Sequence, residues 1–315
     1  MEPPHHTQRT HPMRYVRPLL IAFLWTLPCL FAFTQQPAPP LTAAAIMALV
    51  AAHQDATEAE RAHYTYIQHV RVASHKGKAI MCAEVTDSRV TPFGKSSHQE
   101  LLTLDGRLFH KGKYVTYTDL PKTPNGSNHR NSDLELNLGD DDSDRDLVES
   151  MRNNFTNDNS TESRNGIADN LFPLTTRQQL HEDFVLLGRE RMNGRDVFHI
   201  SFHPKDKSDF GWKGDAYIDT TAFQPVLVRT AMARNIPFAV RALLGTNVPG
   251  LGFTVIHAPQ PDGTWFPISF GTEFKIKVLF VYSREITIAA ENRNFEKTHV
   301  NSQIVEGPTL PSPQP

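Results

Sequence analysis

The sequence predicts a mainly β (α+β) fold, a curved antiparallel sheet or incomplete β-barrel with an N-terminal helix and a short helical lid. Three observations support this prediction. Apolar and polar residues alternate over long stretches such as residues 265–276, which is typical of strands with one buried face. Turn signals separate these stretches, and Asn193-Gly194 is the strongest of them. Residues 42–62 are rich in alanine and carry apolar residues at helical spacing, behind Thr42 as the expected N-cap.

The N-terminus has the pattern of a secretory signal peptide. A short cationic segment after Met13 precedes a mainly apolar run at residues 19–33, shorter than the roughly 20 residues of a spanning helix. We expect cleavage near Gln35 to remove residues 1–34, and the mature protein to be exported to the periplasm or cell envelope. An uncleaved membrane anchor is the alternative. Both Met1 and Met13 are compatible with the start of the segment.

Composition limits the class of protein. The chain has 315 residues and a formal net charge of −2, which excludes a strong nucleic-acid footprint. Without the signal peptide, Cys82 is the only cysteine, so no internal disulfide is possible and the core alone must stabilise the fold. We expect a single domain at residues 35–306, a proline-bearing tail at 307–315, and a monomer.

Residues 121–170 break the strand pattern. They hold five basic and eleven acidic residues, a local charge of −6, among many Asn, Ser and Gly. Such a segment buries too little apolar surface to offset its ordering entropy, so it predicts a largely flexible insertion. Residues 146–155 are its candidate for a short helix. Strand-like sequence resumes after the insertion, which places it within one sheet.

Further turn signals divide the strand-like sequence into hairpins. Asp105-Gly106 predicts a hairpin turn. Turns are also predicted near residues 220–221 and at residues 261–263, where the sequence is Pro-Asp-Gly.

Residue types that catalyse reactions or bind metals form no recognisable signature. His199 and His203 share a strand face but lie about 13 Å apart, too far to bind one zinc ion together. Asp140, Asp142 and Asp144 have the spacing of a calcium loop, which then fails at its glycine and glutamate positions. No nucleophile elbow, phosphate loop or HExxH motif occurs. We therefore expect a non-enzymatic protein without a metal or cofactor.

The order of these segments resembles the outer-membrane lipoprotein-sorting (LolA/LolB-like) family, in the divergent form of many exported bacterial proteins. The similar pieces are YTYIQHV, FVLLGRERMNGRDVFHISFHPK, GDAYIDTTAFQPVLVRT, DGTWFPISFGTEF and ENRNFEK. The strand, Asp-containing turn, proline and strand of YIDTTAFQPVLVRT are the most characteristic part. The resemblance covers roughly residues 43–295 without the insertion. It implies an incomplete barrel, closed on one side by helices, with an apolar cavity for acyl chains.

The resemblance and the strand faces together give a candidate apolar cavity. Bulky apolar side chains share a face on two predicted strands, namely Phe198, Ile200, Phe202, Phe266, Ile268, Phe270 and Phe274. Each of them also suits an ordinary helix-on-sheet core, so only the whole group predicts a ligand site. A loop that mixes basic and bulky apolar residues is the candidate lid or rim, with Arg234, Phe238, Arg241 and Leu244.

The expected function is that of a periplasmic or cell-envelope carrier for a lipid or a lipoprotein acyl chain, with the membrane surface as a further partner. One alternative is a structural or protein-interaction module whose sheet is solidly packed. A further alternative is an uncharacterised hydrolase. Lipid that is co-extracted with the purified protein distinguishes the carrier from the interaction module.

Overall fold

The computed structural model describes residues 41–93, 96–118, 143–156, 174–206, 212–232, 246–247, 251–278 and 282–298. The predicted signal peptide and the proline-bearing tail lie outside the described residues. The helices are α1 (Ala43–Arg61), α2 (Ser143–Thr156) and α3 (Thr176–Gln179). The strands are β1 (Tyr64–Lys76), β2 (Ala79–Phe93), β3 (Ser96–His110), β4 (Lys113–Tyr117), β5 (Glu182–Met192), β6 (Arg195–Pro204), β7 (Trp212–Asp219), β8 (Pro225–Met232), β9 (Thr246–Asn247), β10 (Gly252–Pro259), β11 (Trp265–Val278) and β12 (Tyr282–Lys297).

These strands form one antiparallel sheet. Eleven of them lie in the order β4-β3-β2-β1-β12-β11-β10-β8-β7-β6-β5, and β9 pairs with β11. The first and last strands, β1 and β12, are therefore neighbours in the middle of the sheet, while β4 and β5 form its edges. The sheet is curved and does not close into a barrel, which confirms the predicted fold class.

The predicted N-terminal helix is confirmed as α1. Thr42 is its N-cap, and its hydroxyl accepts a hydrogen bond from the backbone N–H of Ala45 at 3.2 Å. Ile46 and Val50 point at the sheet and have no exposed surface. No helix in the described part of the chain is both long and apolar enough to span a bilayer.

Three of the four predicted turns are confirmed. Asn193 and Gly194 connect β5 to β6 with φ angles of 50° and 81°, the pair of positive values that a type I′ hairpin turn requires. The turn near residues 220–221 connects β7 to β8, and the turn at residues 261–263 connects β10 to β11.

The predicted turn at Asp105-Gly106 is wrong, because both residues lie inside β3. The hairpin turns later, at Lys111 and Gly112, whose φ angles are 48° and 79°. Gly106 pairs directly with Tyr117 across β3 and β4, and a Cβ on Gly106 would lie 2.3 Å from the Tyr117 ring. This glycine therefore makes room for an aromatic ring within a strand and does not mark a turn.

The predicted acidic insertion contains α2. The short helix predicted within it is confirmed and runs from Ser143 to Thr156. Leu147 and Val148 of this helix have no exposed surface, because they pack on β1 and β2. Residues 121–142 and 157–170 lie outside the described residues.

Two apolar clusters cover the same face of the sheet, which we call the inner face. Val228 of the first cluster pairs with Val255 of the second, so both clusters face the same side. The α1 cluster contains Ile46, Met47, Val50, Leu174, Phe198, Ile200, Phe202, Ala216, Ile218 and Val228. The α2 cluster contains Val70, Val72, Cys82, Leu108, Leu147, Val148, Val255, Phe270, Ile276, Ile286, Ile288 and Ala290.

Candidate apolar ligand site on the inner face

The three predicted cavity residues of β6 lie in the α1 cluster. Phe198, Ile200 and Phe202 are at most 2% exposed, and Ile46 and Met47 of α1 belong to the same cluster. The sequence leaves both a cavity wall and a core position open for these side chains. The structure places them in the layer between helix and sheet.

The four predicted residues of β11 lie in two different surroundings. Phe270 is 7% exposed within the α2 cluster, and Phe274 packs against that cluster while half-buried. Phe266 lies instead among other aromatic rings, with centroids 5.0 Å from Tyr64 and 4.6 Å from Phe295. Between Phe266 and Phe270 the register of β11 against β10 shifts, and Ile268 is the extra residue of a bulge in β11.

This bulge explains why the alternation of β11 does not give one continuous wall. Ile256 pairs with Ser269, whereas the next residue, His257, pairs with Pro267. A bulge places two residues of one strand against one of its partner and interrupts the period of two. The seven predicted residues therefore do not come together at a single place.

Four aromatic rings lie where the two clusters meet, and we call them the aromatic seam: Trp212, Phe253, Phe270 and Phe274. The centroids of Trp212 and Phe253 are 4.9 Å apart, and those of Phe253 and Phe270 are 5.1 Å apart. Trp212 packs against both the α1 and the α2 cluster. Trp212, Phe253 and Phe274 all remain half-buried. The seam is thus the place where the inner face presents aromatic surface.

Small residues of β7 and β8 adjoin the seam. Thr230 pairs with Gly214 on one side and with Phe253 on the other, so all three positions face inward. Thr230 is 7% exposed, and its Oγ1 has no hydrogen-bond partner among the residues that the structure describes. A buried hydroxyl without a partner is rare, and a water molecule or a ligand is its usual complement.

The inner face of β10 ends in a buried histidine. His257 lies four positions after Phe253 and is 9% exposed, and within the described part of the chain its Nδ1 has no hydrogen-bond partner. Burial, together with the nearby positive charge of Arg61, lowers the pKa of His257 to about 3. The imidazole is therefore neutral in the folded protein at physiological pH.

Helix α2 is held on the inner face by a buried carboxylate. Asp144 accepts hydrogen bonds from Arg284 at 2.6 and 2.7 Å, from Ser74 at 2.6 Å and from Tyr282 at 3.1 Å. Burial acts to raise the pKa of Asp144, but the hydrogen bonds from Arg284 and Ser74 outweigh it and lower the pKa below its usual value. Asp144 is thus ionised and connects α2 to β1 and β12.

A second buried pair holds the other end of α2. Arg152 forms an ion pair with Glu84 of β2, and the hydroxyl of Tyr117 donates a hydrogen bond to Glu84 at 2.7 Å. Burial raises the pKa of Glu84, although Arg152 and Tyr117 oppose this effect. Beside them, burial raises the pKa of the Cys82 thiol to about 12. A thiol with so high a pKa is a poor nucleophile.

The other chemically active residues singled out in the sequence are separate from the seam. The two ring nitrogens of His199 face Glu190 at 2.7 Å and Asp215 at 3.1 Å, and Nδ1 of His203 lies 3.1 Å from the carbonyl oxygen of Pro204. Within the described ranges, no three His, Cys, Asp or Glu residues are grouped as metal ligands. Two of the three aspartates with calcium-loop spacing and all four predicted rim residues lie outside the described residues, namely Asp140, Asp142, Arg234, Phe238, Arg241 and Leu244.

Sequence reasoning missed the residues that define the seam on β7 and β10. Trp212 and Phe253 lie near the ends of their strands, where the alternation is too short to assign a face. In the sheet, β8 lies between β7 and β10, so the two residues become neighbours only through the strand order. The sequence does show one aromatic residue on each of these two strands. That pattern indicates a shared site only once the pairing of both strands with β8 is known.

Comparisons with known proteins give weak matches. No protein-family model matches the chain. No curated protein matches it. Among solved structures, a DUF1329 family protein from Desulfovibrio piger has a TM-score of 0.36 at 11% identity, and the match covers 83% of this chain and 95% of that one.

Two further structures carry names of the group that the sequence resembles. An outer membrane lipoprotein-sorting protein domain from Vibrio parahaemolyticus has a TM-score of 0.35 at 12% identity, covering 80% of this chain and 93% of that one. A LolA superfamily protein from Nitrosomonas europaea has a TM-score of 0.33 at 10% identity, covering 83% and 96%. The expected resemblance thus recurs among solved structures.

Proposed function

We propose that the protein is an exported carrier that binds a lipid or another molecule with an acyl chain on the inner face of its sheet. The observation that carries this proposal is the aromatic seam. Trp212 packs against both clusters, Phe253 and Phe274 pack against the α2 cluster, and all three rings remain half-buried. The ligand lies against these rings.

The position of the two helices explains why the seam is the binding surface. The α1 cluster takes its strand residues from β6, β7 and β8, and the α2 cluster takes them from β1, β2, β3, β10, β11 and β12. The seam rings come from β7, β10 and β11, at the junction between these two layers. Covering grouped aromatic surface of this kind with an apolar partner removes it from water and lowers the free energy. An acyl chain suits it, since each buried CH₂ contributes about 0.8 kcal/mol.

Thr230 supports a ligand that also has a polar group. Its hydroxyl is buried beside Phe253, and no described residue forms a hydrogen bond with it. An ester, carboxyl or hydroxyl group of an amphiphile supplies a hydrogen bond there, whereas a pure hydrocarbon leaves the hydroxyl unpaired.

Binding without catalysis is supported by the state of the buried reactive groups. Asp144 and Glu84 are both engaged in ion pairs that hold α2 on the sheet. Cys82 lies in the same layer with a pKa of about 12. These groups stabilise the fold, and none of them belongs to the aromatic seam.

A fluorescent fatty-acid probe tests the proposal. We expect saturable binding of dansyl-undecanoic acid to the parent protein and an approximately tenfold weaker Kd in Phe253→Ala, because the variant removes the central ring of the seam. Phe184→Ala is the matched control, since Phe184 is also half-buried but packs at the edge of the α1 cluster. Its affinity for the probe is expected to stay within twofold of the parent value.

Mass spectrometry of organic extracts provides the second measurement. Protein purified from its native host is expected to carry co-extracted lipid, and the Phe253→Ala variant less of it. A parent protein that binds no probe and carries no lipid contradicts the proposal. If the protein instead captures another protein chain, and Phe253→Ala abolishes that capture, the seam is a protein-interaction surface.

A further inference from the structure

A separate cavity of about 420 Å³ lies over β6, β7 and β8. Three consecutive residues of each strand line it, at positions 201–203, 213–215 and 229–231. In this set Lys213 and Arg229 are exposed, whereas Phe202 and Thr230 are buried toward the inner face. Side chains alternate along a strand, so the cavity opens on the outer face, opposite the aromatic seam.

Strand register brings two cationic side chains to this cavity. Ser201, Asp215 and Arg229 form one row across the three strands, and Lys213 lies in the adjacent row, opposite Ala231. Directly opposed residues in antiparallel strands have Cβ atoms roughly 5 Å apart, and diagonal neighbours lie at about 7–8 Å. Lys213 and Arg229 are diagonal neighbours, so both can reach one bound group.

The carboxylate in the cavity is held by another partner. Oδ1 of Asp215 lies 3.1 Å from Nε2 of His199, whose ring stacks on Tyr217 with centroids 4.5 Å apart. No ion pair joins Arg229 to Asp215, although the two residues are directly opposed. Lys213 likewise forms no ion pair with any residue in the described ranges. Two positive charges therefore border the cavity, and none of the described residues places a counter-charge at contact distance from them.

We propose that this cavity, the outer-face site, binds an organic phosphate through Lys213 and Arg229. A guanidinium group presents paired N–H donors that match two phosphate oxygens, and an ammonium group adds a second charge. Ser201 supplies a neutral donor in the same row as Arg229. The volume lies within the range of about 300–1,000 Å³ for small-molecule sites, larger than a free ion needs, so the phosphate is attached to an organic body. A glycerophosphate group, soluble or in a lipid headgroup, has this chemistry.

Binding measurements on the mature full chain test the outer-face site. Calorimetry with sn-glycerol 3-phosphate measures the soluble source. Flotation with phosphatidylglycerol vesicles, against phosphatidylcholine vesicles, measures the headgroup source. We expect the parent protein to bind at least one of the two, and the K213Q/R229Q double variant to bind it at least tenfold more weakly. Both side chains are exposed, so the melting temperature of the variant is expected to stay unchanged.

The control removes the same charge elsewhere on the surface. The R89Q/K113Q variant alters exposed residues of β2 and β4 and keeps the net charge of the test variant. Its binding is expected to stay within twofold of the parent. The inference is overturned if the parent binds neither ligand, or if the control variant loses as much affinity as K213Q/R229Q. Probe binding at the seam is expected to be unaffected in both variants, so the two proposals fail independently.

Discussion

The imidazole of His257 is buried on folding, and this makes the free energy of unfolding depend on pH. The pKa of this side chain is about 3 in the folded protein, lowered first by burial and then by Arg61, whereas an unfolded histidine titrates near pH 6.5. Between these two values the unfolded chain binds a proton that the folded chain does not. Stability therefore falls as the pH is lowered through this window, by up to about 1.4 kcal/mol per pH unit.

His257→Gln is expected to remove this contribution. The variant then loses less unfolding free energy than the parent when the pH is lowered from about 7 to about 4.5, a difference of roughly 2 kcal/mol. Urea unfolding at both pH values measures it. The control is His203→Gln, which changes an exposed histidine of the outer face and is expected to keep the pH dependence of the parent. Equal slopes in the parent and His257→Gln contradict the prediction.

Single residues with purely local effects could be predicted from the sequence. Thr42 caps the helix that follows it, and Asn193-Gly194 forms a turn between its flanking strands, because both effects involve near neighbours in the chain. Gly106 could not be predicted, since the Tyr117 ring that needs its space reaches it only through pairing of β3 with β4. Phe253 was missed for the same reason, because its partner Trp212 lies two strands away in the sheet.

Helix α2 depends on buried charges for its position on the sheet. The side chains of Arg284 and Asp144 are 10% and 8% exposed, and two hydrogen bonds join them. Removing one member of such a pair leaves the other charged and buried, which typically costs about 3–5 kcal/mol. Arg89 and Glu100 form a cross-strand ion pair whose side chains are 52% and 56% exposed, where the expected contribution is at most about 1 kcal/mol.

The same substitution at the two arginines tests this difference. Arg284→Met is expected to lower the unfolding free energy by about 3–5 kcal/mol, and Arg89→Met by no more than about 1 kcal/mol, both measured by urea denaturation. Cys82 provides a local probe, since it is buried in the α2 cluster. We expect its reaction with a thiol reagent to become faster in Arg284→Met only. Similar losses for both variants contradict a docking role of the Asp144–Arg284 pair.

The existence of α2 was predictable, but its packing was not. Its sequence gives a helical pattern within an acidic segment, which by composition favours solvent. The residues that neutralise its buried charges lie far along the chain, Glu84 at 68 positions from Arg152 and Arg284 at 140 positions from Asp144. No local pattern contains these partners, so the sequence predicted a short helix there but not its burial against the sheet.

At the scale of the whole molecule, the sequence predicted a curved antiparallel sheet but not its strand order. Hairpins between successive strands follow from turn signals. The pairing of β1 with β12 does not, since its members are far apart in sequence: Arg71 and Glu291, which form a cross-strand ion pair, are 220 positions apart. Strand β12 also pairs with β11 on its other side, so it joins the two halves of the sheet.

Truncation tests the role of β12. A chain that ends after Val278 lacks this strand and leaves β1 and β11 without their shared partner. We expect it to lose the cooperative thermal transition, followed by circular dichroism, and to bind a dye for exposed apolar surface. A chain that ends after Glu306, before the predicted tail, is the control and is expected to melt like the parent. A cooperative transition in the shorter chain contradicts the prediction.

The position of β12 also determines when the chain can fold during its synthesis. The hairpins β1–β2–β3–β4 and β5–β6–β7–β8 need only neighbouring sequence, so they can form while the ribosome is still extending the chain. The pairing of β1 with β12 cannot form that early. Strand β1 remains without this partner until translation has reached almost the end of the domain. Until then the facing edges of β1 and β11 are unpaired, and unpaired strand edges favour aggregation. The high sequence separation of this one pairing predicts slow completion of folding even after release.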